Sequence, residues 1–295
     1  MSDIRFSLLF PPFTKIIPYD SLIWGTAMVH SSKFFVYLTA VLILSGTQAL
    51  ANDGTSAHGN AKTTTSGAHG KAAPHWTYDG LNGPDHWGAL DEAYGTCASG
   101  TQQSPIDLKE GRLAPLAPIE IKWTPFLPTV INNGHTIKVD TDKQGSMVLD
   151  GKTYTLLQFH FHHESEHTIN GRHYPLEAHF VHQAKDGSLG VLGVFFKEGN
   201  ANPALQKIWN LAPLDPGEMK AEKRFKPGAL LPRNRDYFRY EGSLTTPPCS
   251  EVVSWVVFSQ PIEASKAQID AFAGLYSHNY RPLQKANRRF ILHSQ

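Results

Sequence analysis

Residues 153–162 read TYTLLQFHFH, and this stretch decides the fold. Its last five positions alternate between polar and aromatic side chains, from Gln158 through His160 to His162. A period of two is typical of a β-strand, because successive side chains point to opposite faces of a sheet. The pattern therefore predicts a strand that buries Phe159 and Phe161 in a core and presents its histidines on the other face.

The chain around this strand also reads mainly as strands. Turn residues such as Asn133-Gly134, Asp150-Gly151 and Asn170-Gly171 separate the apolar runs and are typical of hairpins. The short connections favour antiparallel pairing, since parallel strands need long crossovers. The sequence predicts a mainly β or α+β fold: a single domain around a large, mostly antiparallel twisted β-sheet with a few short peripheral helices. The predicted strands are residues 119–123, 129–132, 136–140, 146–150, 153–162, 177–183, 190–197 and 252–259, and the predicted helices are residues 203–211 and 264–276.

Three histidines suggest a metal site on this sheet. His160 and His162 share one face of their strand, so their imidazoles can converge on one ion. The next predicted strand follows the turn at Asn170-Gly171 and can pair antiparallel with the first, which brings His179 to the same ion. Three histidines without a fourth protein ligand leave a position open for water, which is the pattern of a catalytic zinc site.

Two polar residues share the faces of these histidines. Gln158 and Glu177 lie two positions before His160 and His179, and a metal-bound imidazole nearly always donates its second nitrogen to such an acceptor. Other histidines lie close by and compete as ligands. Strand parity turns His163 and His182 away from the predicted site and His167 and His173 flank the turn, but parity alone does not exclude them.

The N-terminal region reads as an export signal. Residues 34–46 form an apolar run that follows Lys33 and precedes Ala49-Leu50-Ala51, which is the layout of a cleavable signal peptide over residues 1–51. The run is shorter than the roughly 20 residues that span a bilayer, so a membrane anchor or a buried helix is the weaker alternative. A true start at Met28 would give an ordinary short basic leader.

Residues 52–74 are rich in Gly, Ser, Thr and Ala and predict a flexible linker, whose His58 and His69 leave weak metal binding open. Residues 75–295 are long enough and apolar enough for one domain with a large core. A net charge of +1 gives no sign of a nucleic-acid or anionic-membrane partner. The even pair Cys97 and Cys249 predicts a disulfide in an exported protein, with two free thiols as the alternative.

Several blocks in order and spacing resemble the alpha-class carbonic anhydrases, and the cysteine positions resemble those of their exported bacterial members. The resemblance covers residues 75–295. It rests on HWTYDGLNGPDHW at 75–87, QSPIDL at 103–108, NNGH at 132–135, QFHFH at 158–162, SEHT at 165–168, EAHFVH at 177–182, VLGVFF at 191–196, SLTTPPC at 243–249 and NYRPLQ at 279–284.

The resemblance implies reversible hydration of carbon dioxide to bicarbonate and a proton by zinc-bound hydroxide. Thr245 matches the residue whose hydroxyl accepts a hydrogen bond from that hydroxide, and it would pass its own proton to Glu166. Four positions match the apolar wall that holds carbon dioxide in the family: Val181, Val191, Leu244 and Trp255. Thr246 is expected to face the same pocket.

His135 matches the family's proton shuttle, because an imidazole with a pKa of about 6.5 can carry a proton to buffer. Tyr78 and Asn133 match residues that order the water along this path. Lys138 stands where many members carry Asn or Gln. If its ammonium points into the cavity it lowers the pKa of His135, and if it swings out to solvent it does nothing.

The predicted partners are carbon dioxide and bicarbonate, with no nucleic acid and no stable membrane span after processing; a homodimer is left open. The predicted location is the periplasm or the extracellular space. Two rival functions differ in class: a catalytically silent binding module that has lost a ligand, and an exported zinc-binding or storage protein. The intact set of His160, His162, His179, Thr245 and Glu166 argues against the first.

Overall fold

The computed structural model describes residues 74–109 and 111–294. The predicted signal region, residues 1–51, and the predicted linker, apart from Pro74, lie outside the described residues. No helix within the described part combines the length and the apolar character that crossing a membrane requires.

Thirteen strands and a few short helices make up the described part of the chain. Every predicted strand is present, with ends that move by at most one residue. The strands are β1 (Arg112–Ala114), β2 (Glu120–Lys122), β3 (Thr129–Asn132), β4 (Ile137–Asp140), β5 (Ser146–Leu149), β6 (Lys152–His162), β7 (Leu176–Ala184), β8 (Leu189–Glu198), β9 (Gly217–Lys220), β10 (Tyr237–Gly242), β11 (Val253–Phe258), β12 (Ile262–Ala264) and β13 (Leu292–Ser294). The α-helices are α1 (Trp87–Leu90), α2 (Thr96–Ser99), α3 (Pro203–Trp209) and α4 (Lys266–Ala273), and 3₁₀ turns cover Gly80–Asn82, Glu92–Tyr94 and Pro227–Leu230.

One large sheet joins all these strands. Its main path runs β1-β13-β10-β11-β8-β7-β6-β4-β3-β9; off this path, β12 pairs with β8, β5 pairs with β6, and β2 pairs with β5. Most neighbours are antiparallel, as predicted, but β1–β13, β8–β11 and β8–β12 are parallel pairs. The fold is therefore a mixed sheet, dominated by antiparallel pairs.

The centre of the sheet is formed by β6, β7 and β8. Phe159 and Phe161 of β6 lie in the main core with Phe180 of β7, all fully buried. The alternation of the QFHFH stretch thus sorts the phenylalanines into this core and turns His160 and His162 to the opposite face, as predicted.

The second predicted helix is shorter than its sequence pattern suggested. Its predicted first residue, Ala264, belongs instead to β12, and the helix begins after Ser265. The Ser265 side chain accepts a hydrogen bond from the backbone N–H of Gln268, and the Gln268 side chain in turn accepts one from the backbone N–H of Ser265. This capping box satisfies two backbone donors at the helix start and fixes the boundary there.

A disulfide joins Cys97 of α2 to Cys249, as predicted. The two residues are separated by 152 positions and lie in a small cluster with the buried Trp87 and Tyr94. Disulfides of this kind persist in oxidising compartments, so the bond is consistent with an exported protein.

We expect the double variant Cys97→Ser/Cys249→Ser to fold but to unfold at a lower temperature. A bridge that closes a loop of this length restricts the unfolded chain by up to about 5 kcal/mol, an upper value because strain reduces it. Thermal unfolding followed by circular dichroism measures the change, and thiol titration of the denatured, unreduced wild type should find no free thiol. Equal melting temperatures would contradict a stabilising role for the bond.

Candidate metal centre

The three predicted ligands meet on one face of the sheet. β6 and β7 pair antiparallel in a register that places His160 directly opposite His179. His162 follows two residues along β6, and one ring nitrogen from each histidine lies within 4.8 Å of the other two. His162 and His179 are buried and His160 is half-buried, so His160 is the one of the three rings that is partly exposed.

An acceptor behind each imidazole determines which nitrogen faces the centre. The Gln158 amide oxygen lies 2.9 Å from His160 Nδ1, and the Glu177 carboxylate lies 2.9 Å from His179 Nε2. Gln158 and Glu177 thus lie behind the two rings for which the sequence proposed them as acceptors. An amide or carboxylate oxygen can only accept, so His160 Nδ1 and His179 Nε2 carry the hydrogens. The lone pairs then lie on His160 Nε2 and His179 Nδ1.

The acceptor behind His162 was not predicted from the sequence. His162 Nδ1 donates to the backbone carbonyl of Asn279 over 2.7 Å, across 117 residues of sequence. Its Nε2 is buried without a hydrogen-bond partner in the described part of the chain. A buried polar atom left unpaired is rare in folded proteins, and here it faces the other two ligand nitrogens.

Burial and mutual repulsion keep two of these imidazoles neutral. Burial lowers the pKa of His160 well below its usual value, and the neighbouring His162 and His179 lower it further. Burial also lowers the pKa of His162, although Glu166 opposes this. The pKa of His179 is raised instead, because Glu177 outweighs the effect of burial. Neutral imidazoles are the form that binds a metal ion.

Glu177 holds two histidines at once. Its carboxylate accepts from the backbone N–H of His167 at 2.9 Å and contacts the His167 ring at 2.8 Å, in addition to His179. Burial acts to raise the pKa of Glu177, but His167 and His179 prevail and lower it. Glu177 is therefore a fixed anion behind the ligand, and His167 is its support rather than a turn residue.

Glu166 lies beneath the three histidines and is fully buried. Its Oε1 accepts a hydrogen bond from the backbone N–H of Arg281 at 2.9 Å, and its Oε2 lies 3.6 Å from His162 Nε2 and 3.7 Å from His179 Nδ1. That Oε2 has no hydrogen-bond partner among the described residues, so the predicted bond from Thr245 is not formed here. Thr245 is itself buried.

The predicted apolar wall forms one row across adjacent strands. Val181 of β7 lies opposite Val191 of β8, and Val191 lies beside Trp255 of β11. The Trp255 ring centroid is 4.8 Å from that of His179, so the row begins at the ligand cluster. Leu244 packs against the same group, and Thr246 is half-buried in the same loop as Thr245.

His135 lies between two aromatic residues that precede the main sheet. Its ring stacks on Trp76 with centroids 3.9 Å apart and lies 5.6 Å from the ring of His75. Burial lowers the pKa of His135, and repulsion from His75 lowers it further. Tyr78 packs edge-on against Trp76, and burial together with Glu166 raises its pKa well above 10.0, so it stays protonated.

The two remaining proton-path residues have other partners. Lys138 forms an ion pair with Asp140 at 3.0 Å, and its charge contributes to the lowered pKa of His160 rather than to that of His135. The register places Lys138 opposite His160. The Asn133 side chain accepts from the backbone N–H groups of His135 and Thr136, so it shapes the turn that carries His135.

The competing histidines fall outside the ligand cluster. His182 is buried on the opposite face against the Phe180 and Gly190 carbonyls, where burial lowers its pKa to about 3. His163 directs Nδ1 toward the carbonyl of Ser277, and His173 contacts that of Ser165. His167, Glu177 and His179 form a second possible cluster, but its carboxylate is already occupied by both rings.

With this geometry established, comparison with known proteins identifies the family. The family model for eukaryotic-type carbonic anhydrase matches residues 82–295. The chain belongs to the alpha-class carbonic anhydrase family. Membership in this enzyme family supports carbon dioxide hydration as its reaction.

Several relatives of this carbonic anhydrase are bacterial. The chain is 42% identical to the carbonic anhydrase of Pectobacterium carotovorum over 74% of its own length and 91% of the relative. It is 40% identical to the carbonic anhydrase of Neisseria gonorrhoeae over 86% of its own length and 96% of the relative. Among solved structures, the alpha-carbonic anhydrase of Thermovibrio ammonificans in complex with sulfanilamide matches with a TM-score of 0.73 and 50% identity, covering 74% of this chain and 98% of that one.

We expect zinc to be lost when any of the three ligands is replaced by Ala. The variants His160→Ala, His162→Ala and His179→Ala should purify with much less than one zinc per chain, measured by mass spectrometry. Glu177→Ala should keep the site but weaken zinc affinity roughly 10- to 100-fold, because the imidazole loses its orienting acceptor.

His163→Ala is the matched control for these variants, since His163 adjoins a ligand but faces Ser277. It should retain full zinc content. A variant of any one ligand that kept one tightly bound zinc would contradict the assignment.

Proposed function

We propose that this carbonic anhydrase catalyses the zinc-dependent reversible hydration of carbon dioxide to bicarbonate and a proton. The observation that carries the proposal is the convergence of three imidazole nitrogens on one point, with a fixed acceptor behind each ring. The catalytic unit is residues 75–295, which follow a signal peptide and a flexible linker. The protein acts in the periplasm or outside the cell.

The residues fit a zinc ion in donor type. Three imidazole nitrogens form the ligand set of catalytic zinc sites that leave one position open. The unpartnered Nε2 of His162 would gain a partner on binding. When bound, zinc supplies a Lewis acid that lowers the pKa of a water to about 7, a value characteristic of carbonic anhydrases.

Glu166 and Thr245 orient the attacking oxygen in this proposal. The Arg281 backbone N–H holds one oxygen of Glu166, and the other oxygen is free to accept the Thr245 hydroxyl proton. A threonine that donates to a carboxylate can only accept from its remaining partner. Thr245 would therefore select an oxygen that still carries a hydrogen and turn its lone pair toward the substrate.

The apolar row supplies the place for the substrate. Carbon dioxide carries no net charge and is a weak hydrogen-bond acceptor, so a dry surface of Val181, Val191 and Trp255 can hold it beside the ligand cluster. Leu244 extends this surface from the neighbouring loop. The same side chains exclude water that would compete for the site.

His135 removes the proton that each turnover releases. Its lowered pKa keeps the imidazole neutral near pH 7, ready to accept. Its place between His75 and Trp76, part-way to solvent, suits transfer to external buffer. Tyr78 stays protonated beside this group and can donate to water along the path.

A stopped-flow hydration assay tests the proposal directly. The wild type should hydrate carbon dioxide, lose activity when a chelator removes zinc and regain it when zinc is restored. Glu166→Gln should keep its zinc but lose about 100-fold in turnover, because the attacking oxygen is no longer oriented. Glu164→Gln is the control, an exposed carboxylate two residues away that should change nothing. A wild type with bound zinc and no hydration activity would overturn the proposal.

The pH dependence of turnover tests the shuttle. His135 accepts a proton only when neutral, so turnover in weak buffer should rise as pH increases through its pKa, at a pH below 6.5. His75→Ala removes a repulsive neighbour and should move this rise to higher pH. Lys138→Gln should leave the profile in place, because that lysine is paired with Asp140.

His135→Ala should lower turnover by up to about 100-fold in weak buffer, with recovery when imidazole is added. Full turnover of this variant in weak buffer would show that another group carries the proton.

A further inference from the structure

A cavity of about 630 Å³ lies away from the metal centre, between α3, β9 and the segment that follows β9. None of its lining residues belongs to the candidate metal centre or the proton path. Its volume falls within the range of about 300–1,000 Å³ that is typical of sites for small molecules.

The floor of this cavity is apolar. Ile208 and Phe225 are buried members of the main core, and Leu211 packs against that core from the side. Met219 of β9 completes the floor with 47% of its surface exposed. The floor is thus a rigid part of the core with one flexible, open side chain, a surface on which an alkyl chain can lie.

The rim of the cavity is strongly basic. Lys207, Lys220, Lys223 and Arg224 line it, all of them exposed, while Glu222 is the one carboxylate of the lining. Against a net charge of +1 for the whole chain, this excess of cations is local to the cavity.

The rim cations also lack carboxylate partners. Within residues 74–109 and 111–294, ion pairs involve other lysines and arginines and none of these four. Arg224 donates one hydrogen bond, over 2.8 Å, to the carbonyl of Pro125. An unpaired guanidinium and three ammonium groups around an apolar floor complement a ligand with an anionic head and an apolar chain.

We propose that this cavity binds a medium-chain alkyl carboxylate, with the chain on the apolar floor and the carboxylate among the rim cations. The site is independent of the metal centre, so its occupancy and carbon dioxide hydration can be measured separately. A concave floor with charge at one edge fits such an amphiphile better than it fits a fully polar anion or a neutral hydrocarbon.

Decanoate is the probe, and isothermal titration calorimetry on the full mature protein measures its binding. We expect one molecule per chain, with affinity that falls as salt is added because the rim charges are exposed. Decanol tests the chain without the charge, and acetate tests the charge without the chain; both should bind at least about tenfold more weakly. Equal affinity for decanol and decanoate would overturn the role of the basic rim.

Methionine methyl groups report where the probe lies. Met219 is half-exposed in the cavity, whereas Met147 is fully buried in the core and serves as an internal control. In spectra of protein labelled at the methionine methyl carbons, decanoate should shift the Met219 signal and leave Met147 unchanged. Binding without a shift at Met219 would overturn the location.

Two variants separate the floor from the rim. Met219→Asp places a charge on the floor at an exposed position and should abolish binding. Lys207→Gln/Lys223→Gln should weaken it by about twofold to fivefold for each charge removed. Lys185→Gln/Lys285→Gln removes two exposed lysines elsewhere and should leave decanoate affinity unchanged. An equal loss in both double variants would mean that net charge, not this rim, attracts the ligand.

Discussion

The antiparallel pairing of β6 with β7 is the constraint on which the site depends. Its register sets His160 opposite His179, and the two-residue repeat of β6 adds His162 on the same face. A shift of one residue would turn these imidazoles into the core and the phenylalanines outward. Exposing the rings of Phe159 and Phe161 to water would cost a large free energy, because both are apolar and fully buried. This cost fixes the register and therefore the geometry of the ligands.

The sequence predicted this central part well, since its information is local. Parity along one strand assigned His160 and His162, and the same parity assigned Gln158 and Glu177 as acceptors, which lie 2.9 Å from the rings of His160 and His179. The short strands β1, β9, β12 and β13 were missed because none of them contains a run of buried apolar residues. The buried strand β10 was also missed, since Arg239 and Glu241 interrupt its aromatic residues.

The site features that sequence reasoning missed depend on contacts between distant segments. The backbone carbonyl of Asn279 accepts a hydrogen bond from His162. Any residue type has such a carbonyl, so the only available signal was that Asn279 begins the NYRPLQ block. His167 was placed only beside the turn, yet its buried ring lies between Glu177 and Tyr240. For Lys138 two outcomes were left open, and the nearby carboxylate of Asp140 was not considered as its partner.

The segment around Asn279 and Arg281 connects the metal centre to the disulfide. The backbone carbonyl of Asn279 accepts a hydrogen bond from His162, and the backbone N–H of Arg281, two residues later, donates one to Glu166. The buried guanidinium of Arg281 has no carboxylate partner among the described residues; it donates to Gln103, Ser104 and the carbonyl of Cys97. Its Nε has no partner among the described residues, but both terminal nitrogens donate to these oxygens. A buried cation is costly without such acceptors, so this segment is held where those oxygens lie. The α2 end of the disulfide thereby helps to position the groups behind the metal ligands, although neither cysteine touches them.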